Sequence, residues 1–366
     1  MKRRNFLKSS LAGLGWISTG YAFGNSSNLM FTEPGKFTCE ALYYKVTPHG
    51  IKCNLCPHNC NVNEIRPGNC RTKTVKNGKL ISSAFGNPYY VKQETPETEN
   101  LYHFLPGEKI LAIGTAGCNL SCDYCNVYNI SQKNPEEISS SPLFPQQVIE
   151  MCLAKGYKGI AYTYTEPVAF FEYMLATAKL ARNKGLKNIM VSNGYVNEAP
   201  LREIARYLDA AVISVKAFSD ATYQKLTTGS IFPVFNTIKI LKELNIWTEL
   251  THVLVPGKTD NFELLEKMFI WMKENNFENV PFHLMKMEPK YRMSQAEVTP
   301  DALLKLASDV AASVKLPFVY SENQRNTICS NCKGVIVERK DFKIQILRVK
   351  GGNCNFCGSK IAGVWH

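Results

Sequence analysis

The grouping of the cysteines constrains this chain more than any other feature. Eleven of the thirteen cysteines lie in three tight groups of four, three and four, and only Cys39 and Cys152 lie outside them. Cysteines grouped in this way either bind metals or form disulfides. Because the spacings inside all three groups are those of metal ligands, the sequence favours metal binding over cross-linking.

The central group contains three cysteines: Cys118, Cys122 and Cys125. They are spaced C-x3-C-x2-C shortly after the apolar run Ile110 to Ile113. A [4Fe-4S] cluster is usually held by four cysteines, so three would leave one iron open to a substrate or cofactor. An open coordination position distinguishes reactive metal sites from structural ones. A zinc knuckle or a pair of disulfides is the alternative, but zinc needs four ligands and no further Cys or His lies beside this loop.

The first group contains four cysteines: Cys53, Cys56, Cys60 and Cys70. Their spacing is C-x2-C-x3-C-x9-C, with Pro57 and Gly68 as turn formers. Four thiolates can hold one tetrahedral zinc ion or a cluster without an open iron. The spacing leaves zinc and an auxiliary iron-sulfur cluster equally open, with paired disulfides as a third possibility.

The last group also contains four cysteines: Cys329, Cys332, Cys354 and Cys357. Their spacing, C-x2-C-x21-C-x2-C, surrounds a β-rich segment, Val335 to Val349, and is typical of a zinc ribbon. We expect this metal site to fasten the C-terminus. A second cluster or a contact with a macromolecule is the alternative, and nucleic acid is not favoured because no aromatic stacking platform accompanies the basic strand.

The composition is that of an ordinary globular protein, with 45% hydrophobic and 20% charged residues, and the net charge of +12 is spread along the chain. The N-terminus carries Arg3-Arg4 before Phe6-Leu7-Lys8 and a short apolar segment, Leu11 to Phe23. This pattern predicts a twin-arginine export signal, and hence a periplasmic or cell-envelope location. The apolar segment is too short to span a bilayer. A basic start to a cytoplasmic enzyme is the alternative.

Strand-like and helix-like segments alternate after Lys109, which predicts βα units around a parallel sheet. The predicted strands are Ile110 to Ile113, Gly159 to Thr163, Asn188 to Ser192, Ala211 to Val215, Trp247 to Val255 and Pro281 to Met285. The predicted helices are Pro145 to Lys155, Val168 to Lys184, Glu198 to Tyr207, Val234 to Leu244 and Phe262 to Asn275. Six strands are too few for a closed eight-stranded barrel, so an α/β fold with a partial (β/α)6 barrel is expected.

The same reasoning divides the chain into four parts. These are a signal and linker (1–36), an N-terminal cysteine-rich subdomain (37–105), a core barrel (106–322) and a C-terminal zinc-ribbon-like subdomain (323–366). Functional side chains of the core are expected where the parallel strands end, because these ends meet at one edge of the sheet.

The three-cysteine loop, with Tyr124 just before its third cysteine, resembles the cluster loop of radical S-adenosylmethionine (radical SAM) enzymes. In that superfamily S-adenosylmethionine chelates the open iron of a [4Fe-4S] cluster. Its reductive cleavage gives a 5'-deoxyadenosyl radical that takes a hydrogen atom from the substrate. The resemblance therefore implies a partial (β/α)6 barrel, S-adenosylmethionine as cofactor, and an electron donor such as ferredoxin or flavodoxin.

The resemblance extends to residues at the strand ends, and it implies a cofactor-binding role for each of them. Glu166 would meet the methionine amino group, Lys216 would hold its carboxylate, and His283 would lie near the bound cofactor. Ser192 and Asn193 match a Thr-Asn-Gly element of activating enzymes of the pyruvate formate-lyase type, and Tyr124 belongs to the cluster loop. The alternatives are a helix-terminal carboxylate for Glu166, a solvated lysine for Lys216 and a core histidine for His283.

Over roughly residues 40 to 366 the chain looks like one subfamily, the radical SAM enzyme of the AmmeMemoRadiSam system. Its motifs are Cys53-Asn-Leu-Cys-Pro-His, Leu101-Tyr-His-Phe-Leu-Pro-Gly, the cluster loop, Tyr162-Thr-Tyr-Thr-Glu-Pro, the turn Val255-Pro-Gly and Gly363-Val-Trp. AMMECR1-like and Memo-like proteins are the partners that this resemblance implies. It predicts a radical SAM oxidoreductase-like enzyme whose substrate remains open. A glycyl-radical-enzyme activase and a non-catalytic metal-binding or electron-transfer protein are the alternatives.

Overall fold

The computed structural model of the protein describes residues 37–48 and 50–365. The export signal predicted within residues 1–36 lies outside the described residues. In the described ranges, no helix combines the length and the apolar character that crossing a bilayer requires.

The N-terminal part consists of two small antiparallel sheets. Its strands are β1 (Cys39–Glu40), β2 (Tyr44–Thr47), β3 (Gly50–Cys53), β4 (Asn61–Val62), β5 (Lys73–Lys76) and β6 (Lys79–Ser82). One sheet has the order β2-β3-β4 and the other β1-β6-β5. The end of β3 and the loops on either side of β4 carry the first cysteine group, so the short strands hold four cysteines in one region.

The central sheet has eight strands. They are β7 (Tyr90–Glu94), β8 (Ile110–Gly114), β9 (Gly159–Tyr162), β10 (Lys187–Ser192), β11 (Ala210–Ser214), β12 (Trp247–Leu254), β13 (Phe282–Lys286) and β14 (Val319–Ser321). Their order is sequential from β7 at one edge to β14 at the other. The strands β8 to β14 run parallel, and β7 pairs antiparallel with β8. The six predicted strands are confirmed within one residue at each end, whereas both edge strands were missed.

Helices connect the parallel strands and cover the sheet. They are α1 (Tyr128–Ser131), α2 (Pro145–Lys155), α3 (Phe171–Asn183), α4 (Glu198–Ala205), α5 (Asp220–Thr227), α6 (Ile231–Glu243), α7 (Phe262–Glu274) and α8 (Asp301–Ser313). The predicted bounds of α2 are confirmed. The predicted start of α3 at Val168 is wrong, because Pro167 to Phe170 form tight turns in which the amides of Ala169 and Phe170 bond three residues back.

The interior of the sheet is apolar, since every residue of β8 and β9 is buried. Strands covered on both faces read as continuous hydrophobic runs, which is why these two were easy to predict. A buried ion pair joins the core to the N-terminal part: the Lys73 ammonium of β5 lies 2.6 Å from the Glu172 carboxylate of α3, and both side chains are at most 1% exposed. The carboxylate also accepts a hydrogen bond from the Leu42 amide at 3.0 Å.

The C-terminal part is a second small β structure. Its strands are β15 (Thr327–Ile328), β16 (Val335–Lys340), β17 (Lys343–Leu347), β18 (Val349–Lys350) and β19 (Asn353–Cys354). It has its own apolar cluster, which includes Tyr102, Phe318 and Tyr320 from outside the predicted C-terminal subdomain. The buried Arg339 side chain donates to the Tyr102 carbonyl at 2.7 Å, so this part is fastened to the segment before β8.

Candidate metal and cofactor site

The three-cysteine loop leaves β8 through a glycine that the packing requires. Gly117 has φ +96°, and a Cβ atom there would lie 2.5 Å from Thr72 Cγ2 and 2.6 Å from the Cys70 carbonyl oxygen. A side chain would therefore be strained by its conformation and would also clash with its neighbours. The loop that begins at Cys118 can reach its position only because the backbone passes directly against the N-terminal cysteine region.

The three cysteines of this loop line one cavity at the carboxyl ends of the strands. The space amounts to about 1060 Å³, counted out to its open mouth. Five of the six predicted cofactor-binding residues also line it: Tyr124, Glu166, Ser192, Asn193 and Lys216. They come from the loop after β8 and from the ends of β9, β10 and β11, which is the edge where parallel strands place their functional groups.

Glu166 is the centre of the hydrogen bonding in this cavity. Its carboxylate accepts from the Ser192 hydroxyl at 2.7 Å, from the Asn193 amide at 2.9 Å and from the Val168 amide at 3.1 Å. A carboxylate has about four acceptor positions, so one remains for a ligand. Burial raises the pKa of Glu166, and the three donors only partly oppose this effect. The alternative prediction for Glu166 was a carboxylate in the first turn of a helix. Glu166 does not lie in such a turn, because α3 begins only at Phe171.

Asn193 connects this carboxylate to the cluster loop. Its side-chain amide donates to Asn119 Oδ1 at 2.9 Å and lies 3.9 Å from the Cys118 sulfur. Asn119 in turn donates to the Tyr195 carbonyl at 2.7 Å. The residue after Cys118 is thereby fixed to the end of β10, and the loop has a defined position relative to Glu166.

Lys216 supplies a positive charge to the cavity. Among the described residues, no carboxylate oxygen lies within 4.0 Å of its ammonium group, so it forms no ion pair there. Its charge lowers the pKa of the Cys122 thiol, but desolvation is the larger effect and raises that pKa to about 11. The Lys286 ammonium, which lines the same cavity, is instead paired with Asp301 at 2.8 Å. Of these two lysines, Lys216 is the one available to an anionic ligand.

His283 occupies a different position from the other predicted residues. It lies on β13, and its Nε2 atom is 2.8 Å from a carboxylate oxygen of the buried Glu249. Its ring also contacts the rings of Tyr102 and Tyr320, with centroids 4.7 and 5.2 Å away. It is not among the residues that line the cavity of the three cysteines. This surrounding favours the core role that the sequence left open, and its cofactor-binding role stays a prediction.

Tyr124 packs beneath the loop. Its side chain is 6% exposed and belongs to an apolar cluster with Leu226, Val255 and Met287. Its hydroxyl has no hydrogen-bond partner among the described residues. A buried hydroxyl without a partner is costly, so this group is available to a ligand in the cavity that the ring lines.

The donor set fits an iron-sulfur cluster better than a single ion. Of the residues that the structure describes, three thiols and no fourth Cys or His line the cavity. Burial raises the pKa of Cys118, so thiols are the stable form without a metal, and loading the site releases protons. The three sulfurs do not all lie within 4.8 Å of one another, whereas one metal ion would draw its ligands closer together. A separate iron for each sulfur accommodates this wider arrangement.

The C-terminal cysteines are arranged differently. Cys329 and Cys357 have their sulfurs 3.7 Å apart, and Cys332 and Cys354 have theirs 3.8 Å apart. In the part of the chain that the structure describes, this is the one group of three or more Cys, His, Asp or Glu residues whose ligand atoms all lie within 4.8 Å. The group can therefore bind a metal ion.

Comparison with known proteins agrees with this site. A family model described as "Radical SAM superfamily" matches residues 112–268, which include the loop, Glu166 and Lys216. An uncharacterized protein of Methanocaldococcus jannaschii, MJ0808, is 32% identical over 330 residues, which are 88% of this chain and 98% of that protein. The chain belongs to the radical SAM superfamily.

Two more distant matches are a pyruvate formate-lyase-activating enzyme and a solved structure. The pyruvate formate-lyase-activating enzyme of Clostridium pasteurianum is 22% identical over 175 residues, covering 46% of this chain and 73% of that enzyme. Among solved structures, Streptococcus suis SuiB bound to S-adenosylmethionine has a TM-score of 0.45 and 13% identity, covering 62% of this chain and 52% of that one. The sequence match to the Clostridium pasteurianum enzyme shows that the chain is homologous to the pyruvate formate-lyase-activating enzymes.

Several residues of the site were not predicted from the sequence. Asn119 fixes the loop, Glu249 binds His283, and Arg71 donates to the Cys118 carbonyl at 3.2 Å. Two of them carried a signal: Asn119 directly follows a cysteine ligand, and Glu249 is a charged residue inside an otherwise buried strand. Arg71 carried none, because its contact joins segments that lie far apart in sequence.

Proposed function

We propose that this chain is a radical SAM enzyme that binds a [4Fe-4S] cluster at Cys118, Cys122 and Cys125. When bound, the cluster supplies the electron that cleaves S-adenosylmethionine to a 5'-deoxyadenosyl radical, which takes a hydrogen atom from the substrate. The observation that carries the proposal is that the three sulfurs share one cavity with Lys216, which has no ion pair among the described residues, and with the partly satisfied carboxylate of Glu166. A purely structural metal site would need neither group.

The residues of the cavity would bind and orient the amino acid end of S-adenosylmethionine. The Lys216 ammonium complements a carboxylate, and the remaining acceptor position of Glu166 complements an ammonium group. Ser192 and Asn193 hold the Glu166 carboxylate in place through the bonds described above. Buried surroundings strengthen both interactions by excluding water.

The substrate would enter from the open mouth of the same cavity. Tyr164, Met285 and Glu288 also line this cavity. Methionine side chains adapt to irregular surfaces, and the tyrosine ring offers an apolar face with a polar end. These groups fit a substrate with both apolar and polar parts.

The homology to pyruvate formate-lyase-activating enzymes favours a second candidate function, the activation of a glycyl radical enzyme. In that case the substrate would be a glycine of a partner protein. AMMECR1-like and Memo-like proteins, implied by the AmmeMemoRadiSam resemblance, are the partners to test first. Ferredoxin or flavodoxin would be the electron donor. Export by the twin-arginine route remains part of the proposal and is tested by locating the full-length chain in cell fractions.

The deciding experiment uses anaerobically reconstituted protein with dithionite and S-adenosylmethionine. We expect 5'-deoxyadenosine and methionine to form together, and Cys122→Ala to abolish both. Cys152→Ala is the matched control, because Cys152 is buried in α2 outside the three groups and should leave cleavage unchanged. Protein with a fully loaded three-cysteine cluster that forms no 5'-deoxyadenosine would overturn the proposal.

The activase candidate requires a further measurement. Incubation with each candidate partner, dithionite and S-adenosylmethionine should give the electron paramagnetic resonance doublet of a glycyl radical on that partner. Cleavage of S-adenosylmethionine without such a signal, together with a modified small molecule, would assign the first function instead.

A further inference from the structure

The two four-cysteine groups differ in how far apart their sulfurs lie. The tetrahedral geometry of zinc, with Zn–S bonds of about 2.3 Å, places neighbouring sulfurs about 3.8 Å apart. The C-terminal sulfurs have this separation, since Cys329–Cys357 and Cys332–Cys354 are 3.7 and 3.8 Å apart. The C-terminal group is therefore arranged for a single ion.

The N-terminal sulfurs do not have this arrangement. Among the described residues, no three of Cys53, Cys56, Cys60 and Cys70 have all their sulfurs within 4.8 Å of one another. They nevertheless face one region, because all four line a single cavity. Four thiols that are separated in this way fit a [4Fe-4S] cluster, in which each sulfur binds a different iron, better than they fit a single ion.

Apolar side chains line this cavity, and a backbone amide can donate to one of its sulfurs. Leu55 and Val168, which are 3% and 2% exposed, shield it from water. The fully buried Lys73 side chain also lies in the wall, with its ammonium paired to the Glu172 carboxylate at 2.6 Å. The Asn69 amide lies 3.5 Å from the Cys60 sulfur and can donate to it. Hydrogen bonds of this kind stabilise sulfur ligands and tune cluster potentials.

The cavity also adjoins the three-cysteine loop. Asn119, the residue after Cys118, lines it, and its carbonyl accepts from His58 Nε2 at 2.7 Å. A Cβ atom at Gly117 would clash with the Cys70 carbonyl oxygen, so the backbones of the two segments pack closely. The N-terminal site is thus built against the loop of the proposed catalytic cluster, while remaining separate from its sulfurs.

We propose that Cys53, Cys56, Cys60 and Cys70 hold a second [4Fe-4S] cluster with no open iron, and that the C-terminal group holds one zinc ion. The two sites use the same ligand type and differ in sulfur spacing. This assignment concerns metals outside the cleavage site and does not depend on the proposed function.

The test uses the full chain with Cys118, Cys122 and Cys125 all changed to Ala, reconstituted anaerobically with iron, sulfide and zinc together. We expect the variant to stay brown and to retain about four irons, about four sulfides and about one zinc per chain, because only the N-terminal group still binds iron. A colourless protein with no iron and about two zinc ions would overturn the assignment.

Two further variants in the same background check the ligands. Adding Cys56→Ala and Cys60→Ala should remove the iron and leave the zinc. Adding Cys39→Ala and Cys152→Ala, outside the groups, should change neither metal. Iron that survives loss of Cys56 and Cys60 would contradict the proposal.

Unaltered protein gives an answer independent of the folding of any variant. About eight irons with one zinc supports the assignment, and about four irons with two zincs opposes it. S-adenosylmethionine cleavage by the same sample reports on the proposed function separately, so either proposal can fail without the other.

Discussion

The imidazole of His58 donates from Nε2 to the main-chain carbonyl of Asn119 at 2.7 Å. His58 lies between Cys56 and Cys60, and Asn119 directly follows Cys118, so the bond joins two cysteine groups that are far apart in sequence. The clash that any side chain would make at Gly117 shows how closely the same two regions pack. The geometry of the three-cysteine loop therefore depends on the N-terminal part of the chain.

Gly117→Ala tests this dependence. The new Cβ would meet Thr72 and the Cys70 carbonyl, and overpacking of this kind costs about 1–3 kcal/mol in addition to the positive φ. We expect less iron at the three-cysteine loop and slower formation of 5'-deoxyadenosine. Gly156→Ala is the control, because Gly156 has φ +66° with open space around it. Equal iron content in the two variants would show that the contact does not position the loop.

Lys216→Met tests how the carboxylate of S-adenosylmethionine is bound. A hydrogen bond to a charged group contributes about 1.5–3 kcal/mol, so the apparent KM should rise roughly ten- to a hundredfold. Iron content should not change. Lys286→Met lies on the same cavity but removes an ammonium that is already paired with Asp301, and its KM should stay near that of the unaltered protein. Equal KM values for the two variants would remove the role assigned to Lys216.

His103 should make stability depend on pH. Its Nδ1 lies 2.7 Å from the Ala362 carbonyl and must donate to it, so in the neutral ring Nε2 accepts from the Tyr320 hydroxyl at 2.6 Å. Burial lowers the pKa of His103 from 6.5 to about 4. Between these values the unfolded chain binds a proton that the folded chain does not, so stability present above pH 6.5 is lost as the pH falls towards 4.

The full effect is roughly 3 kcal/mol. The side chain of His103→Gln cannot titrate. When the free energy of unfolding is measured with urea at several pH values between 4 and 7, it should therefore fall less steeply with decreasing pH in this variant than in the unaltered protein. If the free energy of unfolding changed equally with pH in the two proteins, His103 would not be the cause of the pH dependence.

Metal loss at the C-terminal group should destabilise that part selectively. Cys332→Ser removes one of four ligands, and the apolar cluster around Tyr102 and Tyr320 should then unfold at a lower temperature. Iron at the other two groups should be retained. Ser330→Ala changes an exposed residue of the same turn and serves as the control. Loss of iron together with zinc in Cys332→Ser would show that the C-terminal metal supports the whole protein.

The sequence predicted strands such as β8 and β9 well because they are buried on both faces and therefore continuously apolar. The two edge strands were missed for physical reasons: Tyr90–Glu94 is half exposed and carries Lys92 and Gln93, and Val319–Ser321 has only three residues. The short helix Asp220–Thr227 was missed because its sequence is largely polar, although Ser219 caps it by accepting from the Thr222 amide at 3.4 Å.

The candidate site was predictable to the extent that its residues lie in local motifs. The cysteines, Glu166, Asn193 and Lys216 follow strands directly, and parallel strands bring their ends together. His283 is the second residue of β13 and lies near its amino end, away from the carboxyl ends that line the cavity, and its environment depends on Glu249 in the neighbouring strand. The separation of sulfurs, which distinguishes the two four-cysteine groups, depends on how loops pack and is not encoded in the spacing alone.

The buried ion pair between Lys73 and Glu172 has a consequence for how this molecule opens. If the N-terminal sheets detached from α3, this ion pair and the hydrogen bond from the Leu42 amide to the Glu172 carboxylate would be broken together. Partial opening at this boundary is therefore disfavoured. The amide hydrogens of β5 and of α3 should exchange with deuterium at a common rate, as one cooperative unit rather than as two domains.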